Sequence, residues 1–203
     1  MLIANPNDTP ANLTITYLPD TGQAIEKKQA LAGNQRLTLN IAEQDAALAN
    51  TAVGTRVESD QPVVVERSQY WPHGNWYESH ASAGQTVTGL HWGLAEGRVG
   101  GASEAQTFIL IANPGASVAE ITATFLRTDG TTLIRTFTVQ PTSRFTIAVT
   151  GDAAGSVPEL TNESFATIIT SSAPVIVERS LYTSTGGVIF TAGTNSTGTR
   201  LDP

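Results

Sequence analysis

The chain says the same thing twice. Ile3-Ala4-Asn5-Pro6 returns as Ile111-Ala112-Asn113-Pro114, 108 positions later, and the match continues without a gap to Ile41 and Val149. Thr14, Thr16, Leu18, Gly22, Arg36 and Thr38 meet identical residues at Thr122, Thr124, Leu126, Gly130, Arg144 and Thr146. Farther on, Pro62-Val63-Val64-Val65-Glu66-Arg67-Ser68 returns as Pro174-Val175-Ile176-Val177-Glu178-Arg179-Ser180, now 112 positions later, so the second copy holds four more residues in the intervening loop. A period this long is a whole folding unit rather than one turn of a solenoid. Repeated units of this kind usually bind, span or assemble, and catalysis rarely needs the same domain twice.

Each copy reads as short strands. Leu13 to Leu18 alternates apolar residues with Thr and breaks at Pro19-Asp20-Thr21-Gly22; Ile121 to Leu126 does the same and breaks at Thr128-Asp129-Gly130. Alternation of period two marks a strand with one buried face, and Asp-Gly supplies the positive φ that a hairpin turn needs. Leu133 to Val139 pairs back. Arg36 to Ile41 and Arg144 to Val149 form the next strand, followed by Ala52 to Val57 and Phe165 to Thr170. Pro62 and Pro174 then enter the Val-rich strands, at the position where a strand tolerates proline. Ala42 to Asn50 reads as a variable loop with room for a 3-10 turn. Gly97 to Gly101 reads as the loop of the second copy's first hairpin. The fold class expected is all-β: two tandem antiparallel immunoglobulin-like β-sandwich domains, residues 1–87 and 88–203.

The second copy opens with a segment, Leu90 to Leu110, that has no counterpart ahead of Ile3. The first sandwich is therefore expected either to be completed from elsewhere, by a neighbouring copy, the tail from Thr191 to Pro203 or an upstream repeat, or to be simply truncated, its edge covered by residues 88 to 100 or left in water. An open apolar sheet edge invites strand addition.

Composition narrows the partners. A net charge of -7, with Lys27-Lys28 as the longest basic run, leaves no cationic patch for a phosphate backbone, so nucleic acid is not expected. No apolar run approaches the ~20 residues of a membrane-spanning helix, and no membrane insertion is expected. The chain has no cysteine, which excludes disulfides, thiolate metal sites and a Cys nucleophile.

The motifs of both copies resemble a repeat of surface and secreted proteins from actinobacteria and related bacteria. Its elements are Ile3 to Pro6 and Ile111 to Pro114, the turn Asp129-Gly130-Thr131, Ser59 to Arg67 with Tyr70, and Ser172 to Arg179 with Tyr182. The opening Trp92-Gly93-Leu94-Ala95-Glu96-Gly97 completes the set. The resemblance implies a tandem extracellular β-sandwich module, at the bacterial cell surface or secreted, with no defined activity.

All three tryptophans and all three histidines fall between Trp71 and Trp92. Tyr70, Trp71, His73, Trp76, Tyr77, His80 and Trp92 are thus the candidate contact residues. Packing at the junction of the copies is the first reading, since Trp and Tyr suit half-apolar surfaces. A platform for a cell-surface glycan is the second, and a contact with a neighbouring molecule the third. His73, Glu78, His80 and His91 match no compact metal motif, and neither metal nor cofactor is expected. Glu66-Arg67 and Glu178-Arg179 sit side by side on a strand, so their side chains point to opposite faces and do not share one site. One member of each pair is expected to end the buried face and meet a charge such as Arg36 or Arg144. No acid–base or nucleophile set emerges, so the function expected is structural or adhesive and non-catalytic. The partners expected are neighbouring repeats or copies of the chain itself, in a filament if assembly propagates. Carbohydrate binding through segment 70–92 is the alternative.

Overall fold

Period-two alternation decides which residues reach the interior. In the computed structural model, which describes residues 1–71, 78–150 and 155–202, Leu13, Ile15 and Tyr17 are all buried, and so are their counterparts Ile121, Ala123 and Phe125. The strands that carry them, β2 (Ala11–Pro19) and β10 (Ala119–Arg127), each lie between two antiparallel neighbours. Around them the order along the chain is β1 (Leu2–Asn5), β3 (Ile25–Leu31), β4 (Gln35–Thr38), β5 (Val53–Ser59), β6 (Val64–Trp71), β7 (Glu78–Ala83), β8 (Gly89–Leu94) and β9 (Gln106–Asn113). After β10 come β11 (Thr132–Val139), β12 (Ser143–Ala148), β13 (Phe165–Thr185), β14 (Val188–Thr197) and β15 (Thr199–Arg200). The chain folds as an all-β sandwich.

The first half has a β2 layer, β3-β2-β5, and a β1 layer, β4-β1-β6-β7. The second half has a β10 layer, β11-β10-β13-β8-β15, and a β9 layer made of β12, β9, β13 and β14. β13 belongs to both. Its first residues pair with β10 and β8, its later ones with β9 and β14, and its register on β8 shifts between Thr170 and Val175. The first half divides the same path into β5 and β6. Strand for strand the layers correspond, except that no described strand of the first half takes the place of β8 or β15.

Two core clusters fill the layers. Ile3, Leu13, Ile15, Tyr17, Leu31 and Leu48 anchor one; Ile109, Ile111, Ile121, Phe125, Ile147, Leu160, Ile169 and Val177 anchor the other. Each fully buried branched side chain contributes on the order of 1.5–3 kcal/mol. The Asn of each repeated motif ends its strand and is itself buried. Asn5 Nδ2 donates to the carbonyls of Thr9, Leu31 and Ala32, and Asn113 Nδ2 to those of Ser117, Val139 and Gln140. The motif is thus a polar rivet between the strand end and the loop that crosses over it.

Several loops behave as their sequences suggest. Gly22 and Gly130 take the left-handed conformation, φ 93° and 85°, in the corresponding hairpin turns. Ile41–Glu43 and Ala46–Leu48 are 3-10 turns, the second capped by the Asp45 carboxylate on Ala47 N. One loop differs. Gly97 to Gly101 does not close a hairpin, because β8 lies in the β10 layer and β9 in the other; the segment crosses between layers, and Gly97 lets it pass against the Phe165 ring. The tail also differs from expectation. Thr199–Arg200 pairs with Gly93 and Trp92 of β8, and Asp202 accepts from Leu90 N and meets His91 Nδ1, each at 2.8 Å. The last residues of the tail therefore close the second half, while its Thr191 to Thr197 part, in β14, lies against β7 of the first.

Candidate functional site

The open side of the first half is closed by the second half itself. The outer face of the β9 layer lies on the outer face of the β2 layer, over β2 and β5. A Cβ placed on Gly54 of β5 would stand 3.7 Å from Ala112 Cβ and 3.8 Å from Arg144 Cβ. Arg56 Nη1 donates to Pro114 O at 3.3 Å. Leu18, on the outer face of the β2 layer, is 1% exposed through this contact, whereas its identical counterpart Leu126 is 38% exposed. β7 has no strand facing it in its own half and lies against β14.

The candidate aromatic residues divide at this join. β6 and β7 pair antiparallel, placing Gln69 opposite His80 and Trp71 opposite Glu78. Neighbouring side chains on β6 point to opposite faces. Tyr70 therefore lies on the outer face, 57% exposed, while Trp71 turns toward the second half. The Trp71 indole N–H donates to Phe190 O at 2.7 Å, and its ring meets Tyr182 edge-on with centroids 5.3 Å apart. His80 Nε2 lies 3.2 Å from Tyr182 Oη. Tyr182 also packs on Phe190 and Phe108. Beneath them sits Gly193, where a Cβ would lie 2.5 Å from the Tyr182 ring and 3.0 Å from Trp71. Burial holds the His80 pKa below the ordinary histidine value, with help from the Arg67 charge, and burial raises the Tyr182 phenol.

Trp92 is elsewhere. It is 2% exposed in the second core, its indole N–H on Gly89 O, and offers no ring to a ligand. It thus lies apart from the other described contact candidates, and Gly198 passes close to its ring, where a Cβ would stand 3.3 Å away. His73, Trp76 and Tyr77 lie outside the described residues.

The two Glu-Arg pairs do opposite-face work as their spacing requires; the Glu178 charge is felt at Arg144, while its ion pair is with Arg67. Arg179 points inward, 5% exposed, and binds Glu96 through both its carboxylate and its carbonyl. Arg67, at the matching place in the first half, has no such segment to meet. It pairs instead with Glu178 of the second half, Nη2 to Oε2 at 3.1 Å, an ion pair off the line of a hydrogen bond. Glu178 thus stands where Glu96 stands for Arg179. Arg144, also on the β9 outer face, is 8% exposed; desolvation lowers its pKa, opposed by the charge of Asp20 from the first half.

Beside Arg179 a polar cleft of about 230 Å³ opens between β8 and β14, lined by Glu96, Ser196, Thr197 and Thr199 among others. His91 is held by Asp202 and His80 by Tyr182, and among the described residues no three His, Asp or Glu side chains come together as a metal-holding group. Among them too, no helix is long and apolar enough to cross a membrane.

Low similarity to solved structures is all that comparison adds. No protein-family model and no curated protein matches the chain significantly. The crystal structure of Thermotoga maritima 1070 is 15% identical, with a TM-score of 0.47 over 56% of this chain and 95% of that one. The Anabaena sensory rhodopsin transducer is 20% identical, with a TM-score of 0.39 over 47% of this chain and 91% of that one. At these TM-scores neither bears on function.

Leu18, Gly54, Phe108, Arg144, Glu178 and Gly193 build the join and escape sequence reading. Most occur in both copies or are unremarkable alone. The available signal is an asymmetry: Gly54 and Gly193 are not glycine in the other copy.

Proposed function

We propose that the chain is a non-catalytic structural module of a bacterial cell-surface or secreted protein, made of two tandem immunoglobulin-like β-sandwich units docked as one body. One observation carries this reading: among the described residues, Trp71, His80, Tyr182, Arg67 and Glu178, the side chains best suited to binding or chemistry, are engaged with one another across the join. A binding platform needs flat rings free to meet a ligand. Here Trp71 is wedged between His80 and Tyr182, and Trp92 is buried.

An immobilised chain tested against arrays of bacterial and host polysaccharides separates this reading from carbohydrate binding. The expected result is no saturable binding to any glycan. Saturable binding that disappears in a Trp76→Ala, Tyr77→Ala variant would overturn the structural reading in favour of the glycan one.

A further inference from the structure

Beside the contacts of Arg67, Trp71 and His80 with Glu178, Tyr182 and Phe190, the internal join mates two sheet faces, and each half carries both. The outer face of the β9 layer presses on the outer face of the β2 layer. The homologous pair, the outer face of the β1 layer and the outer face of the β10 layer, is largely exposed among the described residues. The uncovered β1 face repeats the mated one residue for residue: Ala4, Pro6, Arg36, Glu66 and Tyr70 stand where Ala112, Pro114, Arg144, Glu178 and Tyr182 stand. Their exposures differ sharply. Tyr70 is 57% exposed against 9% for Tyr182, and Arg36 is exposed whereas Arg144 is buried. A shallow cleft of about 160 Å³ lies on this face, lined by Ala4, Arg36, Val64 and Glu66 with Leu2 and Ile3.

The uncovered β10 face has the composition of a covered one. Its cross-strand row runs Ile134, Thr124, Ile168, Gly93, and Leu201 packs over Gly93. The matching row of the β2 face reads Glu26, Thr16, Arg56, with Lys28–Glu26 and Arg56–Glu58 as ion pairs. The row on the partly covered face is thus charged and its counterpart on the bare face apolar, with Ile134 56% and Leu201 50% exposed, beside a polar row of Thr136, Thr122, Thr170 and His91. Contiguous exposed apolar side chains mark an association surface.

We infer that a second copy of this chain docks the outer face of its β1 layer, through Ala4, Arg36 and Val64, on the outer face of the β10 layer, through Leu126, Ile134 and Ile168, repeating the internal join from copy to copy. This rests on the structural-module reading. The contact is heterologous, so it leaves one face of each kind free at the ends and propagates as an open chain. β8 and the tail occupy the place where the first half receives the Arg67–Glu178 pair. The joint between copies therefore has the face contact alone and is the weaker, more readily reversed of the two.

Sedimentation velocity over a concentration series tests it, with Ile134→Lys and Val64→Lys as blocking variants at exposed positions and their thermal melts as the check on folding. The wild type is expected to reach an average mass beyond twice the monomer's. Each variant alone should stay monomeric. An equimolar mixture should form dimers and nothing longer, because each variant retains the face the other lacks. A wild type that remains monomeric at its highest soluble concentration overturns the inference, as does association that either variant leaves intact. Dimers blocked by Ile134→Lys alone would show a symmetric contact and equally overturn it. The glycan array is read independently: a monomeric chain that binds no glycan removes this inference and leaves the structural module standing.

Discussion

Arg67 Nη2 lies 3.1 Å from Glu178 Oε2, joining a strand of the first half to a strand of the second across 111 positions of sequence. Each residue has a twin, Arg179 and Glu66, yet the twins do not pair with each other. The Arg67 side chain is 35% exposed and that of Glu178 18%, so solvent screens the attraction only in part.

A double-mutant cycle on this pair should give a coupling of about 1 kcal/mol, between the values of exposed and buried ion pairs. Glu178→Gln alone should cost about 1–2 kcal/mol, since it leaves the guanidinium facing a half-buried join. Urea unfolding of the two single variants and the double variant measures it. Strict additivity would mean that the pair is a geometric neighbour and not an energetic link.

Asn113→Ala should destabilise the chain by about 3 kcal/mol, because it strands carbonyls that the Nδ2 group satisfies, in part away from water. Val139 O is reached by a fully buried hydrogen bond of 3.2 Å, and Leu31 O by one of 3.0 Å from Asn5. Asn5→Ala should therefore cost a similar amount. Equilibrium unfolding of both variants decides the point, and a loss below about 0.5 kcal/mol, the range of an ordinary surface change, would remove the rivet interpretation.

Much of this was legible in the residues themselves. Leu13, Ile15 and Tyr17 and their counterparts declare an inward face because strand geometry has period two. The turn at Asp129-Gly130 declares itself because few residues accept its backbone. The site was less legible, because identity of sequence does not imply identity of surroundings. Leu18 and Leu126 are the same residue at the same place in each copy, but one is covered by the other half and one is not. Trp92 joined the aromatic segment on composition alone, although Leu90, Trp92 and Leu94 alternate with Gly89, His91 and Gly93 and so place its ring on the side of the buried Leu94. The Arg67–Glu178 pair depends on which half lies beside which, and no local pattern encodes that.

Gly193→Ala should loosen the join. The added methyl group would collide with the Tyr182 ring, 2.5 Å away, and approach Trp71 at 3.0 Å. Since Tyr182 is held by Phe108, Phe190 and Trp71, it has little room to withdraw. A cost of about 1–3 kcal/mol is expected for such overpacking. Gly187→Ala, where nothing lies within 4 Å, is a control for the loss of glycine at a β-hairpin position, with its own backbone strain at φ 79°. A Gly193→Ala variant as stable as the wild type would show that the aromatic cluster is slack.

The join should also weaken in mild acid. Burial and the Arg67 charge hold the folded His80 pKa below its ordinary value of 6.5. In the pH range between the folded and the ordinary value, the unfolded chain binds more protons than the folded one, so stability rises with pH there. The contribution is complete above 6.5 and is lost as pH falls through that value toward the depressed one. A charged imidazole would face Arg67 in a partly desolvated site, its Nδ1 without a hydrogen-bond partner. Asp202 acts in a lower window. Burial tends to raise its pKa, but the hydrogen bonds from His91 and Leu90 outweigh this and hold it below 3.8, so its contribution is lost only as pH falls through that lowered value. Urea midpoints measured from about pH 8 to about pH 5 should therefore decline in the wild type, in the range where histidine titrates. The decline should be smaller in His80→Gln, which keeps a polar group opposite Tyr182 but cannot take up a proton. Parallel pH profiles for the two proteins would show that His80 has the same proton affinity folded and unfolded, and that the join does not sense acid through it.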